Sequence, residues 1–109
     1  MPKRIRRRYL AIKLEAEEAF DKKKLTNTIW ESVTKLFGEY GASKTGISAI
    51  EYRKEEKMLI LRCFHNSLNM VRAAVAFITK IDEKPVAMHV INVSGTLKAL
   101  RKNLENREP

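Results

Sequence analysis

The feature that most constrains the fold is an almost uninterrupted apolar run in the middle of the chain. Residues 58–65 read Met-Leu-Ile-Leu-Arg-Cys-Phe-His, with apolar side chains at odd and even positions alike. Successive side chains of a strand point to opposite faces, so a strand of this kind buries both of its faces. The run therefore predicts a strand inside a sheet that is covered on both sides.

The remaining hydrophobic periodicity divides the chain into alternating strands and helices. A period of two is typical of half-buried strands, and a period of three to four is typical of helices with one apolar stripe. Residues 15–24 are expected to be a loop, residues 82–85 a turn, and the chain is expected to fray after Asn103. The predicted strands begin at Arg8 and cover 47–53, 58–65 and 86–93, and the predicted helical stripes cover 25–40, 68–78 and 97–104.

Small and polar residues mark the expected ends of the helices. Glycine is common just after a helix, and Ser or Asn is common at the N-cap. The expected boundaries are Gly38 and Gly41 at the end of the first helix, Asn66 or Ser67 at the start of the second, and Ser94 at the start of the third.

The order of elements is strand, helix, strand, strand, helix, strand, helix. This order predicts an α+β fold, a ferredoxin-like or RNA-recognition-motif-like βαββαβ sandwich with a four-stranded antiparallel sheet and an extra C-terminal helix. Right-handed crossovers place both long helices on one face. The other face is expected to present Tyr9, Ala11, Ala87, His89 and Ile91. Because it is too apolar to face water, the third helix or a partner protein should cover it.

Positive charge is concentrated at the N-terminus. The chain has 109 residues and a net charge of +9, and its first eight residues contain five basic residues and no acid. This predicts a basic arm over 1–7, a single domain over 8–104 and a tail over 105–109. A basic arm attracts a polyanion at long range. Because the sequence contains no membrane span or signal-peptide core, a soluble, cytoplasmic protein without membrane contact is expected.

The sequence contains no recognisable catalytic or metal-binding arrangement. Cys63 lies in the apolar run, which indicates a buried, inert thiol. His65 and His89 have no neighbouring nucleophile, and their spacing does not fit a metal site. We therefore expect neither catalytic residues nor a resident metal or cofactor in this chain.

RNA contact is expected at basic edges and helix ends. The apolar strand has one aromatic residue and no glycine, unlike strands that stack bases, so the sheet should not do so. The alternatives are a solubilising tail for the arm and an ordinary solvated face for the last helix. The candidate RNA-binding residues are Lys3, Arg4, Arg6, Arg7 and Arg8, joined by Lys22, Lys23 and Lys24, and a second group of Ser94, Gly95, Thr96, Lys98, Arg101 and Lys102.

Several motifs resemble a known family. They are Phe-Gly-Glu-Tyr-Gly-Ala over 37–42, Ile-Glu-Tyr over 50–52, Leu-Asn-Met-Val-Arg-Ala-Ala over 68–74, Ile-Thr-Lys-Ile over 78–81 and Val-Ser-Gly-Thr-Leu-Lys over 93–98. In this order and spacing they resemble the archaeal family of ribonuclease P protein component 2. The family is the counterpart of a small eukaryotic subunit of ribonuclease P and MRP.

The resemblance implies a subunit of a ribonucleoprotein that removes the 5′ leader from precursor tRNA. It implies that the RNA is the catalyst, with Mg²⁺ bound to the RNA. The implied partners are ribonuclease P RNA, precursor tRNA and the barrel-fold protein component 3, in a heterotetramer built around a pair of component 2 chains. The apolar sheet face is a candidate for the protein contacts.

Three other classes of protein are alternatives to this family. A ribosomal or general RNA-binding protein would share the basic composition. An acylphosphatase-like enzyme needs a glycine-rich phosphate loop after the first strand, whereas Glu17 and Glu18 stand there and repel phosphate. A regulatory module for small molecules would not need an arginine arm.

Overall fold

The structure, a computed structural model, describes residues 6–106 as six strands, three α-helices and one 3₁₀ turn. The strands are β1 (Arg7–Glu15), β2 (Ser48–Arg53), β3 (Met58–Phe64), β4 (Lys80–Ile81), β5 (Lys84–Pro85) and β6 (Ala87–Ser94). The helices are α1 (Lys22–Ser43), α2 (Leu68–Phe77) and α3 (Leu97–Glu105), and the 3₁₀ turn is His65–Ser67.

The four long strands form one antiparallel sheet. Their order is β2-β3-β1-β6. Leu10 of β1 lies opposite Leu61 of β3 on one side and opposite Val93 of β6 on the other. The apolar strand β3 is thus inside the sheet, and the predicted α+β ferredoxin-like fold is confirmed.

Helices α1 and α2 cover one face of the sheet and enclose most of the core. Leu10, Ile12 and Leu14 of β1 point to this face and are almost fully buried. The hydroxyl of Ser32 in α1 donates a hydrogen bond of 2.7 Å to the carbonyl of Ala74 in α2, which joins the two helices. Both long helices therefore lie on one face, as right-handed crossovers predicted. We call this side the helical face.

Helix α3 covers the opposite face, which we call the α3 face. Leu100 is fully buried there against Ala11, Met58 and Ile60. Burying a leucine side chain stabilises a fold by about 2 kcal/mol. The prediction that this apolar face needs a cover is confirmed, and α3 supplies the cover.

The ends of α1 differ from the prediction. The helix begins at Lys22, earlier than the predicted start at Leu25, because the carboxylate of Asp21 accepts a 2.7 Å hydrogen bond from the Lys24 amide and caps the helix. It also continues past Gly38 to Ser43. Gly38 itself has a φ of 79° and interrupts the helix without ending it.

Helix caps and boundaries later in the chain also differ from the prediction. The predicted cap at Ser94 is wrong, because Thr96 is the N-cap of α3 and its hydroxyl accepts from the Ala99 amide at 3.1 Å. Ser67 is at the N-cap of α2, but its hydroxyl donates to the carbonyl of Lys44 instead of capping the helix. The turn predicted at 82–85 is part of the β4–β5 hairpin, and α3 continues two residues past Asn103 to Glu105.

Each edge strand contains one bulge. In β6 the pairing with β1 skips Ile91, and in β2 the pairing with β3 skips Ile50. Both isoleucines pack against the Leu100 cluster beneath α3. A bulge bends a strand and increases its local twist.

Candidate nucleic-acid interface

The two ends of the sheet differ in charge. At one end β1 and β2 begin while β3 and β6 end. The segments that build this end, residues 6–10, 40–48, 61–68 and 92–98, contain no Asp or Glu. We call this the basic end. Its basic residues are Arg6, Arg7, Arg8, Lys44, Arg62 and Lys98.

None of these six side chains has an ion pair within residues 6–106. Two of them lie over aromatic rings instead, since Arg7 is 5.9 Å from the centroid of Phe64 and Lys44 is 4.5 Å from that of Tyr40. Such contacts hold a cation in place without neutralising it. The basic end thus keeps its positive charge available for an external anion.

The structure brings part of the predicted arm next to the predicted helix turn. A Cβ atom added to Gly95 would lie 3.4 Å from a guanidinium nitrogen of Arg8. The neighbouring residue Tyr9 pairs with Ser94 across the β1–β6 ladder. The two groups of candidates therefore meet at one surface, which the sequence alone did not predict. The candidates Lys3 and Arg4 lie outside the described residues.

The candidates on α3 are in different situations. Lys98 and Lys102 are exposed, and neither side chain has an ion pair within the described part of the chain. Arg101 reaches across the sheet, and its guanidinium binds a carboxylate oxygen of Glu51 at 2.8 Å. Arg101 thus fastens α3 to β2 with a group that was predicted to bind RNA.

The lysines at the start of α1 do not join the arm. Lys22, Lys23 and Lys24 follow the far end of β1, whereas Arg7 begins that strand. A strand of nine residues spans about 30 Å. Lys24 is also 2.8 Å from the carboxylate of Asp82. The structure therefore does not bring these lysines next to Arg6, Arg7 and Arg8, and their contact with RNA stays a prediction.

A row of polar residues crosses the α3 face at the basic end. Arg62 of β3 lies directly opposite Tyr9 of β1 and opposite Ser48 of β2, and Tyr9 lies opposite Ser94 of β6. Directly paired residues share a face of the sheet. We call Ser48, Arg62, Tyr9 and Ser94 the polar row. Sequence reasoning missed Arg62, although a lone arginine in an apolar interior strand was the available signal.

The structure also locates the metal-ligating and thiol side chains of residues 6–106. Within residues 6–106, no group of three His, Cys, Asp or Glu side chains is placed to hold a metal ion. Cys63 is fully buried, and this burial raises the pKa of its thiol to about 11, so the thiolate is scarce at neutral pH. Among the helices of residues 6–106, none is both long and apolar enough to cross a bilayer.

The exposed aromatic residues lie in the helical layer. Trp30, Phe37, Tyr40 and Phe77 expose 42%, 40%, 75% and 55% of their surface. The sheet face, in contrast, is covered by α3 where it is apolar. The sheet face is thus not the open surface that the apolar sequence pattern suggested for protein contacts.

Comparison with known proteins agrees with this description. The model of the Rpp14/Pop5 family matches residues 8–105. "Ribonuclease P protein component 2" of Methanobrevibacter smithii is 31% identical over 105 residues, covering 90% of this chain and 88% of that protein. The protein of the same name from Methanosarcina barkeri is 33% identical over 104 residues, covering 94% of this chain and 76% of that protein.

A solved structure shows the same fold. A chain of the cryo-EM structure of yeast ribonuclease MRP superimposes with a TM-score of 0.67 at 14% identity, covering 96% of this chain and 93% of that chain. The family model spans nearly all described residues, and the strand order and C-terminal helix fit the architecture predicted from the sequence. The chain therefore belongs to the Rpp14/Pop5 family of ribonuclease P protein subunits.

Proposed function

We propose that this chain binds and stabilises the catalytic RNA of a ribonuclease P that removes the 5′ leader from precursor tRNA. The basic end is the proposed RNA contact. The observation that carries the proposal is the collection of six unpaired basic side chains at one end of the sheet, in segments without a carboxylate. Phosphate contacts by such residues neutralise the RNA backbone and release counterions.

The charge distribution decides which candidate residues are included. Arg6, Arg7, Arg8 and Lys98 belong to the proposed contact, together with the backbone of the 94–96 turn. Free N–H groups at a helix start favour phosphate. Lys22, Lys23 and Lys24 are left out because they lie among carboxylates at the opposite end. A general RNA-binding role is not favoured, because the family match covers almost the whole domain.

The chemistry of cleavage belongs, in this proposal, to the RNA and its Mg²⁺ ions. The chain has a supporting role, in the cytoplasm, in a heterotetramer that contains two copies of it and two copies of a barrel-fold protein component 3. The exposed aromatics Trp30, Tyr40 and Phe77 support a protein contact on the helical layer. Replacing Trp30 and Phe77 with Ala should weaken binding to component 3, and unchanged binding would remove that surface from the proposal.

The RNA contact is tested by removing charge from the basic end. Replacing Arg6, Arg8 and Lys98 with Ala in the full chain spares Arg7, which stacks on Phe64. We expect weaker binding to ribonuclease P RNA and a smaller slope of log affinity against log salt, by about 0.7–0.9 for each lost phosphate contact. Reconstituted precursor-tRNA cleavage should then require more protein.

A matched control removes the same charge elsewhere. Lys23, Lys35 and Lys54 are exposed, lie away from the basic end and have no ion pair within residues 6–106. Their replacement with Ala should change affinity and salt slope much less, because long-range attraction between exposed charges is screened within about 10 Å at 0.1 M salt. Equal effects of the two triple variants would show that only net charge matters and would contradict a localised contact.

A further inference from the structure

Arg62 differs from Arg53 and Arg101, two other arginines on the α3 face. It is half-buried, its Nε atom is inaccessible, and that atom has no hydrogen-bond partner. Within residues 6–106 the guanidinium forms no ion pair. Arg53 and Arg101, in contrast, both bind Glu51.

The neighbouring carboxylate of Glu51 pairs with other arginines and not with Arg62. Glu51 lies opposite Ile60, two residues before Arg62 on β3. One of its oxygens accepts from Arg101 at 2.8 Å and the other from Arg53 at 3.0 Å. The Nε donor of Arg62 is thus withdrawn from water without a partner, which is unfavourable for a polar group.

The fold does not require an arginine at this position. The residues on either side on the same face of β3, Ile60 and Phe64, are apolar, and a methionine would fill a similar volume. A buried donor without a partner therefore needs another explanation. The surroundings indicate an anionic ligand, because Arg62 lies between the hydroxyl-bearing side chains of Tyr9 and Ser48 at the basic end.

We propose that Arg62 is the centre of a phosphate-binding site for RNA on the α3 face, at the polar row. A guanidinium matches two phosphate oxygens with parallel N–H donors, and the hydroxyl-bearing residues Tyr9 and Ser48 lie opposite Arg62 on the two neighbouring strands. This inference rests on the proposed function and specifies where an RNA backbone crosses the sheet. It also explains why the sheet can bind RNA without stacking bases.

The test compares Arg62→Met with Arg53→Met, a control on the same face whose arginine is paired with carboxylates. Arg62→Met should lose about tenfold or more in affinity for ribonuclease P RNA, with a smaller salt slope, while its melting temperature stays equal or rises. Arg53→Met should lower the melting temperature and leave the affinity within about twofold. Arg62→Lys, which keeps the charge, should fold and bind RNA with intermediate affinity.

A second measurement separates this site from the proposed function. Pyrophosphate should raise the melting temperature of the wild-type protein but not that of Arg62→Met. If the wild-type chain binds RNA and Arg62→Met binds it equally well, the site is wrong and the proposed function stands. If pyrophosphate stabilises only the wild-type chain but RNA does not bind, the site stands and the proposed function is wrong. An Arg62→Met variant that binds both ligands normally overturns the inference.

Discussion

The two ends of the sheet carry basic residues in different surroundings. At the end opposite the basic end, residues 13–24, 52–58 and 80–88 contain nine basic and eight acidic residues. There Lys84 binds Glu18 at 2.6 Å and Lys24 binds Asp82 at 2.8 Å. The segments of the basic end contain fewer basic residues, six, but no carboxylates. Net charge alone therefore does not locate a surface for a polyanion, because only cations without a carboxylate partner remain available to bind it.

The largest expected effect concerns a glycine at the basic end. Gly46 has a φ of +62°, and a Cβ there would lie 2.6 Å from the Phe64 ring, over which Arg7 stacks. Gly46→Ala should lower the free energy of unfolding by about 3 kcal/mol, because overpacking and a left-handed backbone add. Urea denaturation measures this.

Gly38→Ala is the matched control for that change. Gly38 has a similar φ of +79°, but nothing lies within 4 Å of its added Cβ. Only the backbone contribution remains. Because φ 79° combined with ψ 168° is a region that essentially only glycine occupies, we expect a loss of about 2 kcal/mol. Equal losses at both glycines would show that the Phe64 ring moves aside freely and that the basic end is not rigid.

An intermediate effect is expected where α3 is joined to β2. Hydrogen bonds from Arg101 and then from Arg53 hold the pKa of the Glu51 carboxyl below its ordinary value of 4.5. The unfolded chain therefore binds the proton more readily than the folded chain. The stabilisation that ionised Glu51 gives the fold is fully present above pH 4.5, and it is lost as the pH falls through the lower pKa of the folded state. Glu51→Gln should lower the free energy of unfolding at pH 7 by about 1 kcal/mol. Below pH 4.5 the variant should lose less stability on acidification than the wild-type protein does.

That prediction is checked by thermal unfolding between pH 7 and 3. A variant whose stability falls with acid as steeply as the wild-type protein would show that Glu51 does not link α3 to the sheet. Glu55→Gln is the control, since Glu55 is exposed and has no ion pair within the described chain.

The smallest effects should have opposite signs at the two ends. Lys98 lies in the first turn of α3, where a cation opposes the helix dipole, and it has no ion pair among residues 6–106. Lys98→Gln should therefore raise the free energy of unfolding by a few tenths of a kcal/mol. Lys84→Gln, which breaks the pair with Glu18, should lower it by about 0.5 kcal/mol. The same sign for both variants in low salt would contradict the contrast between the ends.

The fold was predictable because its strongest signals are local and periodic. The two-faced apolar strand β3 and the stripes of α1 and α2 fix the topology almost by themselves. The boundaries that were missed depend on individual hydrogen bonds. The hydroxyl of Ser67 binds a carbonyl 23 residues away, and Thr96 displaces Ser94 as the cap of α3, although both residue types suit that position.

The candidate site was only partly predictable. The density of arginine before β1 is visible in the sequence, but the proximity of Arg8 to Gly95 depends on which strands become neighbours. The same strand arrangement separates Lys22 from the arm and places Glu51 where its carboxylate accepts a hydrogen bond from Arg101. Arg62 stands out in the sequence as a lone arginine in an apolar run, but its lack of an ion pair among residues 6–106 depends on which strands lie beside it.

The single extra residue in each edge strand has a consequence for the polar row. Met88 and Val90 point toward the helical face. If side chains alternated strictly along β6, Ser94 would point toward that face as well. Ile91 reverses this parity, so that Val93 enters the core and Ser94 emerges beside α3.

Ile50 reverses the parity of β2 in the same way and delivers Ser48 to the same side. Deleting either isoleucine by itself would exchange inside for outside along the rest of that strand, burying a hydroxyl and exposing an aliphatic side chain. One inserted residue in each edge strand thus allows an apolar sheet to carry polar side chains at its end on the α3 side.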